Sequence, residues 1–242
     1  MANIQKKEPD RSPGTLLKIF RTLEIEFGPQ SWWPAETPFE MIVGAVLTQN
    51  TSWKNVERAI VGLKRRRLLT YDALCRGRNA SLRAAIRPAG YFNVKAKRLK
   101  NFVHFLKRHY AGDLDKLLGE ETQTLRRRLL EVNGIGPETA DSIVLYAAHK
   151  PQFVIDAYTR RIFSRYGLVS GEMDYQRLQA YFMDRLPKDT CLFNEYHALI
   201  VELAKRHCLA KPRCDSCPLR RDCRYAKRPS PGPLKPLSKA PF

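Results

Sequence analysis

Four cysteines near the C-terminus, Cys208, Cys214, Cys217 and Cys223, follow the spacing C-x5-C-x2-C-x5-C inside the basic stretch KRHCLAKPRCDSCPLRRDCRYAKR. Four thiolates this close in sequence can converge on one metal centre, and such a centre fixes the path of the loop that carries them. A disulfide framework is the competing use of clustered cysteines. The N-terminus MANIQKKEPDRSPG is polar and has no apolar h-region, so secretion is not expected and an intracellular protein is. The other two cysteines, Cys75 and Cys191, are read as small buried hydrophobes.

With 242 residues the chain can bury one full core or two modest ones. No apolar run approaches the roughly 18 residues that span a bilayer. Lys and Arg number 43 against 24 Asp and Glu, a formal charge of +19. A field of that sign favours a polyanionic partner, nucleic acid first and an anionic membrane surface second. The basic residues gather at Lys64–Arg67, Lys95–Lys100, Arg126–Arg128 and Lys205–Arg228, and some of these are read as solvated helix faces.

Apolar spacing predicts helices almost throughout and no run of strands. Leu16, Ile19, Phe20, Leu23 and Phe27 mark an amphipathic helix closed by Gly28. Thr37-Pro38 opens a helix bearing Phe39, Ile42, Val43, Val46 and Leu47, with proline in a first-turn position. Further helices are expected over 53–63, 71–76, 93–108, 122–132, 137–148, from Asp156 to Gly167, 174–186 and 194–206. From about Pro229 the chain is rich in Pro, Ser and Lys and reads as a disordered tail.

Two of these helices flank Asn133-Gly134-Ile135-Gly136. Gly134 and Gly136 permit positive φ and close backbone approach, and Pro137 suits the first turn that follows. Hairpin amides and a helix N-terminus aimed outward together favour an anion such as a phosphate of DNA. A plain αα-hairpin with a glycine turn is an equal reading of the glycines alone. Asp156, in VIDAYTRRIF, reads by itself as a helix N-cap.

LLEVNGIGPETADSIVLYA resembles the helix-hairpin-helix of the base-excision DNA glycosylase superfamily, and VIDAYTRRIF resembles the Gly/Pro…Asp element that follows it. AVLTQNTSWKNVERA and AGYFNVKAKRL are similar to two further segments of its endonuclease III branch. The similarity runs from about Leu16 to Tyr225. It implies double-stranded DNA with damaged bases as the partner. It also gives Asp156 the role of the carboxylate that drives cleavage of the N-glycosidic bond. A carboxylate suits that role, because loss of the base leaves an oxocarbenium-like sugar that it can stabilise while it orients water. Gly134, Ile135, Gly136 and Thr139 fall in the DNA-binding hairpin. Gln49 falls at the position that fills the gap left by a flipped base; alone it reads as a polar helix-end residue.

Bifunctional members of the branch carry a hairpin lysine whose amine attacks the sugar and then nicks the strand. Glu138 stands at that place here. A carboxylate cannot form a Schiff base, so the resemblance implies a monofunctional enzyme with absent or weak lyase activity. On its own Glu138 reads as a first-turn acid that complements the helix dipole. The WWP loop, the LTQNT run and the hairpin glutamate together resemble the alkylpurine (3-methyladenine) sub-branch. Trp32, Trp33, Pro34, Phe39 and Trp53 are candidates to face a flipped base, with core packing as the ordinary alternative; Lys205 is a candidate to project toward the same place, with a solvated lysine as the ordinary reading. Uracil, mismatched thymine and oxidised pyrimidines are the alternative substrates, and a non-catalytic lesion-binding protein is the alternative of another class.

The cysteines fall where the branch carries a [4Fe–4S] cluster, with the first gap one residue shorter than usual. Zinc is the runner-up, although zinc ribbons usually pair two C-x2-C knuckles and only one such pair is present. The expected architecture is all-α with two helical domains. A helical barrel over 35–147 ends in the hairpin, and residues 15–34 join 148–225 in a second domain that carries the cluster. Segments 1–14 and 226–242 are expected to be disordered. DNA is expected to lie across the cleft, with Asp156 at its mouth, and the protein to be a monomer.

Overall fold

The computed structural model describes residues 14–227. The two segments expected to be disordered lie outside the described residues, save for residues 14, 226 and 227. Among the described residues there are twelve α-helices and no strand. In chain order they are α1 (Gly14–Phe27), α2 (Pro38–Thr48), α3 (Trp53–Arg65), α4 (Tyr71–Arg76), α5 (Asn79–Ile86), α6 (Phe92–Tyr110), α7 (Leu114–Gly119), α8 (Thr122–Leu130), α9 (Pro137–Ser142), α10 (Ala157–Tyr166), α11 (Tyr175–Met183) and α12 (Thr190–Arg206). A 3-10 turn, Arg87–Ala89, precedes α6, and a π-helical turn, Ile143–Ala147, continues α9.

Capping side chains set many of these starts. Thr37, Thr70, Asp113, Asp156, Asp174 and Asp189 each accept a hydrogen bond from the amide three residues on, which satisfies one of the orphan donors of a helix N-terminus. Helix α10 stops at Gly167, whose φ of +102° is left-handed.

Helix α2 is the central element, with Phe39 to Leu47 all buried, and it packs on α3, α6, α9 and the π turn. At the other end of the molecule α1 and α10 both pack on α12, and Tyr196 on α12 donates from its hydroxyl to Leu16 O at 2.8 Å. The apolar residues of both regions form one continuous core.

Four local expectations need correction. Helices α5 and α7 are additional to the expected set; they are short, at eight and six residues, and bury Leu82, Ala85 and Ile86 on one and Leu117 and Leu118 on the other. The helix expected over 137–148 changes winding after Ser142, where Ala148 N–H donates to Ile143 O five residues back at 3.0 Å. Cys191 is exposed and Cys75 half-buried, so neither is a core residue. Lys95, the first of the basic cluster 95–100, belongs to no solvated face: it is 1% exposed. Its ammonium donates to Leu47 O and Ala89 O, both at 2.8 Å, and so supplies donors to the closing carbonyls of α2 and of the 3-10 turn. Burial, then the neighbouring Arg98 charge, push its pKa down to about 8.

Candidate active site and nucleic-acid interface

The hairpin is anchored from behind. Gly134 has a φ of +99°, and a Cβ there would lie 2.3 Å from Arg98 Cγ, so both conformation and space demand glycine. Arg98 donates to Gln49 Oε1. The Gln49 amide donates in turn to Gly134 O at 3.1 Å and to Thr139 Oγ1 at 2.9 Å. Gln49 therefore knots α2, α6 and the hairpin together. Gly136 differs from the expectation of positive φ: it is extended, at φ −93° and ψ 179°, and a Cβ there would meet open space. Its bareness leaves room outside the protein rather than relieving strain within it. Ile135 is 4% exposed and its N–H donates to Val132 O at 2.9 Å, so it anchors the hairpin instead of presenting a donor.

Asp156 caps α10, and its carboxylate is divided in use. Oδ1 accepts from Thr159 N at 2.7 Å and from Thr159 Oγ1 at 2.8 Å. Oδ2 lies 3.7 Å from His197 Nε2, and the Asp156 side chain is 13% exposed. Burial would raise its pKa, but the interaction with His197 and then the two Thr159 bonds outweigh this and hold the carboxyl below its ordinary value. Asp156 is thus ionised at neutral pH.

Glu138, on the first turn of α9, opens with Asp156 onto one cavity of about 450 Å³, lined also by Ile155, Arg160, Arg161 and Tyr175. Glu138 is an exposed residue, yet protein atoms crowd its carboxyl. Burial, then the Asp156 charge, push its pKa up to about 7, with His197 acting the other way. Two carboxyls in one cavity are therefore driven apart in acidity.

Trp32, Trp33 and Trp53 form a triangle of rings with centroids 5.0 to 5.2 Å apart. Trp33 also meets Tyr146 at 5.3 Å, and Gly44 on α2 leaves the space that its indole fills. Tyr146 reaches His197, with its hydroxyl 2.6 Å from Nδ1. The tryptophans are thereby linked to Asp156 by an unbroken run of side chains. The Lys205 ammonium lies 5.7 Å from the centroid of the Trp32 ring. Pro34 is exposed beside this triangle and Phe39 is buried in the core. Tyr146 and His197 were missed from the sequence. Each occupies an apolar helix face, where a core role is the ordinary reading.

The four clustered cysteines line a second, small cavity of about 30 Å³ between α10, the end of α12 and the C-terminal loop. Its walls are apolar at Ile162, Leu203 and Leu219, and Arg165 donates to Cys208 Sγ at 3.4 Å. Burial pushes the Cys217 thiol up to about 11, opposed by the backbone hydrogen bond of Leu219 and aided by the three neighbouring cysteines. Among the described residues no group of three or more His, Cys, Asp or Glu side chains is disposed to hold a single metal ion. No helix there is long and apolar enough to cross a membrane.

Comparison with known proteins places this geometry. The chain is 48% identical over 210 residues to a protein of Methanocaldococcus jannaschii provisionally named a DNA repair glycosylase, covering 86% of this chain and 95% of the relative. It is 32% identical to an endonuclease III of Sulfolobus acidocaldarius, over 77% of this chain and 82% of the other. Among solved structures, a 3-methyladenine DNA glycosylase of H. pylori bound to 1,N6-ethenoadenine shares 27% identity and a TM-score of 0.71, covering 81% of this chain and 98% of its own. An endonuclease III–DNA complex superimposes with a TM-score of 0.75 at 21% identity, over 89% of this chain and 97% of its own, a likeness of fold. The model of the HhH-GPD superfamily of base excision DNA repair proteins matches residues 43–188, and the chain belongs to that superfamily.

Proposed function

We propose that this protein is a monofunctional DNA glycosylase that hydrolyses the N-glycosidic bond of an alkylated purine, such as 3-methyladenine, flipped out of duplex DNA. The observation that carries this reading is the shared cavity of Asp156 and Glu138. One carboxyl is held ionised, as stabilisation of an oxocarbenium-like sugar requires, and the other stands where an amine nucleophile would have to be. Asp156 Oδ2, which Thr159 leaves free, is the oxygen assigned to the sugar and its attacking water. Glu138 cannot form a Schiff base, so the reaction ends at an abasic site with an intact strand.

The choice of an alkylated purine rests on the tryptophan triangle and on the resemblance to the H. pylori enzyme. N3- or N7-alkylated purines are cationic, and an aromatic face attracts such a cation by roughly 0.5 to 2 kcal/mol. Their glycosidic bond is already weakened, so little protonation of the leaving group is needed. We assign Gln49 to the gap left by the flipped base; its bonds to Gly134 and Thr139 would couple insertion to the hairpin. Gly136, with open space at its Cα, is assigned to close approach of a phosphate. We divide the chain into a barrel over 35–147 and a second lobe of 15–34 with 148–225, with DNA across the cleft between them.

We further assign a [4Fe–4S] cluster to Cys208, Cys214, Cys217 and Cys223. The four cysteines share one cavity with apolar walls at Ile162, Leu203 and Leu219, a thiolate set that suits such a cluster, and only one C-x2-C pair is present where a zinc ribbon usually has two. The cluster would fix the basic loop 211–224 and take no part in bond cleavage.

The test compares wild type with Asp156→Asn on duplexes carrying alkylated purines, uracil, mismatched thymine or oxidised pyrimidines. The expected result is release of alkylated purines, abolished by the substitution while DNA binding persists. Release of another base alone would overturn the substrate assignment. Binding to lesion DNA without any release would show a lesion-binding protein.

A further inference from the structure

His197 and Tyr146 are buried polar residues that the reaction above leaves without a task. The His197 side chain is 8% exposed, and its Nε2 has no hydrogen-bond partner in the structure. An unpartnered ring nitrogen in a packed interior is costly and calls for a reason. Its nearest charged neighbour is Asp156 Oδ2 at 3.7 Å, beyond hydrogen-bond length. The opposite nitrogen, Nδ1, is held by the Tyr146 hydroxyl at 2.6 Å.

The two contacts favour one placement of the ring proton. An ionised carboxylate only accepts, so Nε2 is attracted to Asp156 Oδ2 when it carries hydrogen and repelled when it presents its lone pair. A neutral ring with hydrogen on Nε2 has Nδ1 as acceptor, and the Tyr146 hydroxyl then donates to it. The tyrosine, donating to Nδ1, supports that tautomer, and the tautomer presents a donor to the one oxygen of Asp156 that Thr159 does not occupy. Such bonds are often long in the free enzyme and shorten once substrate is bound.

We infer that His197, locked by Tyr146, is a positioning residue that fixes the orientation and charge of Asp156 Oδ2 during base release. The inference rests on the reading of Asp156 as the carboxylate of the reaction. It makes Tyr146 a member of two assemblies at once, since its ring also packs on Trp33. A base seated against the tryptophans would thus press on the residue bonded to His197 Nδ1. The other ionisable groups that line the cavity with Asp156 are Glu138 from α9, Arg160 and Arg161 from α10, and Tyr175 from α11.

The experiment measures single-turnover base release against pH for wild type, His197→Leu, His197→Gln, Tyr146→Phe and Asp156→Asn, on methylated duplex DNA. It adds nitrogen NMR of the histidine rings and thermal unfolding of each full-length protein. Removing the His197 donor raises the pKa of Asp156, so the acid limb of the profile should move to higher pH in His197→Leu. The plateau should fall by up to about a hundred-fold, the scale of a misplaced catalytic group. His197→Gln, which can still donate toward Oδ2, should restore most of the limb position. In Tyr146→Phe the His197 ring should lose its single tautomer. DNA affinity should stay at the wild-type value in all of them.

A folded His197→Leu protein with an unmoved acid limb would overturn the inference. So would NMR showing hydrogen on Nδ1 and none on Nε2 in the wild type, a result that needs no substrate and holds even if the leucine variant fails to fold. Full activity in Asp156→Asn would instead overturn the assignment of Asp156 itself.

Discussion

Replacing Gly134 by alanine tests the hairpin as a built phosphate site. A left-handed φ of +99° costs an L-residue roughly 1 to 2 kcal/mol. The new Cβ would also lie 2.3 Å from Arg98 Cγ and 2.8 Å from its Cδ, near the root of that side chain, so Arg98 must leave its place. Its bond to Gln49 Oε1 goes with it, a charge-assisted hydrogen bond of about 1.5 to 3 kcal/mol. Together the loss is about 2.5 to 5 kcal/mol, a fall in melting temperature on the order of 5 to 20 °C for a chain of this size. Gly136→Ala is the matched control. Its backbone is extended and its Cα faces open space, so alanine there should leave the free protein unchanged or stabilise it by about 0.4 to 1 kcal/mol. Affinity for undamaged duplex should nevertheless fall, because the added methyl stands where a phosphate is assigned. Urea unfolding and duplex binding at fixed salt read both effects. A Gly134→Ala loss below about 1 kcal/mol, or equal destabilisation by the two substitutions, would refute the reasoning.

Further outcomes follow from the same structure. Glu138 has a folded pKa raised above its unfolded value, so the native state holds the extra proton between them and stability falls as pH rises through that window. Glu138→Gln should therefore gain melting temperature over wild type at about pH 8 and lose that advantage at about pH 5. Lys95→Ala leaves two buried carbonyls without donors and opens a cavity, which should cost about 2 to 4 kcal/mol in thermal unfolding. Purified protein should be brown and contain iron and acid-labile sulfide; colourless protein with stoichiometric zinc would reverse the cluster assignment. Removing the metal should unfold the C-terminal loop, read as new protease cleavage between Lys205 and Tyr225.

What could be read from the residues was set by local chemistry. Asp156 announces a helix start because a capping carboxylate acts within three residues of itself, and the hairpin glycines announce a turn for the same reason. The four cysteines announce one another through spacing alone. The role of a side chain whose partner is distant in sequence was not legible. Lys95 sits in a basic run and points inward only because α2 and the 3-10 turn end beside it. Arg126, from the basic run 126–128, pairs with the fully buried Asp141 at 2.6 Å. His197 lies 41 residues from Asp156 and 51 from Tyr146, inside a helix whose apolar stripe makes it look like packing. Gln49 was picked out by position, yet its bonds to the hairpin depend on how α2 meets α9.

The central claim is that the cavity of Asp156 and Glu138 hydrolyses a glycosidic bond and leaves the strand intact. Incubating the purified protein with methylated duplex DNA, and scoring freed bases and strand breaks with and without alkali, tests it directly. Methylated purines should be released, with breaks appearing only after alkali. Strand breaks without alkali, or no methylated purine released, would contradict it.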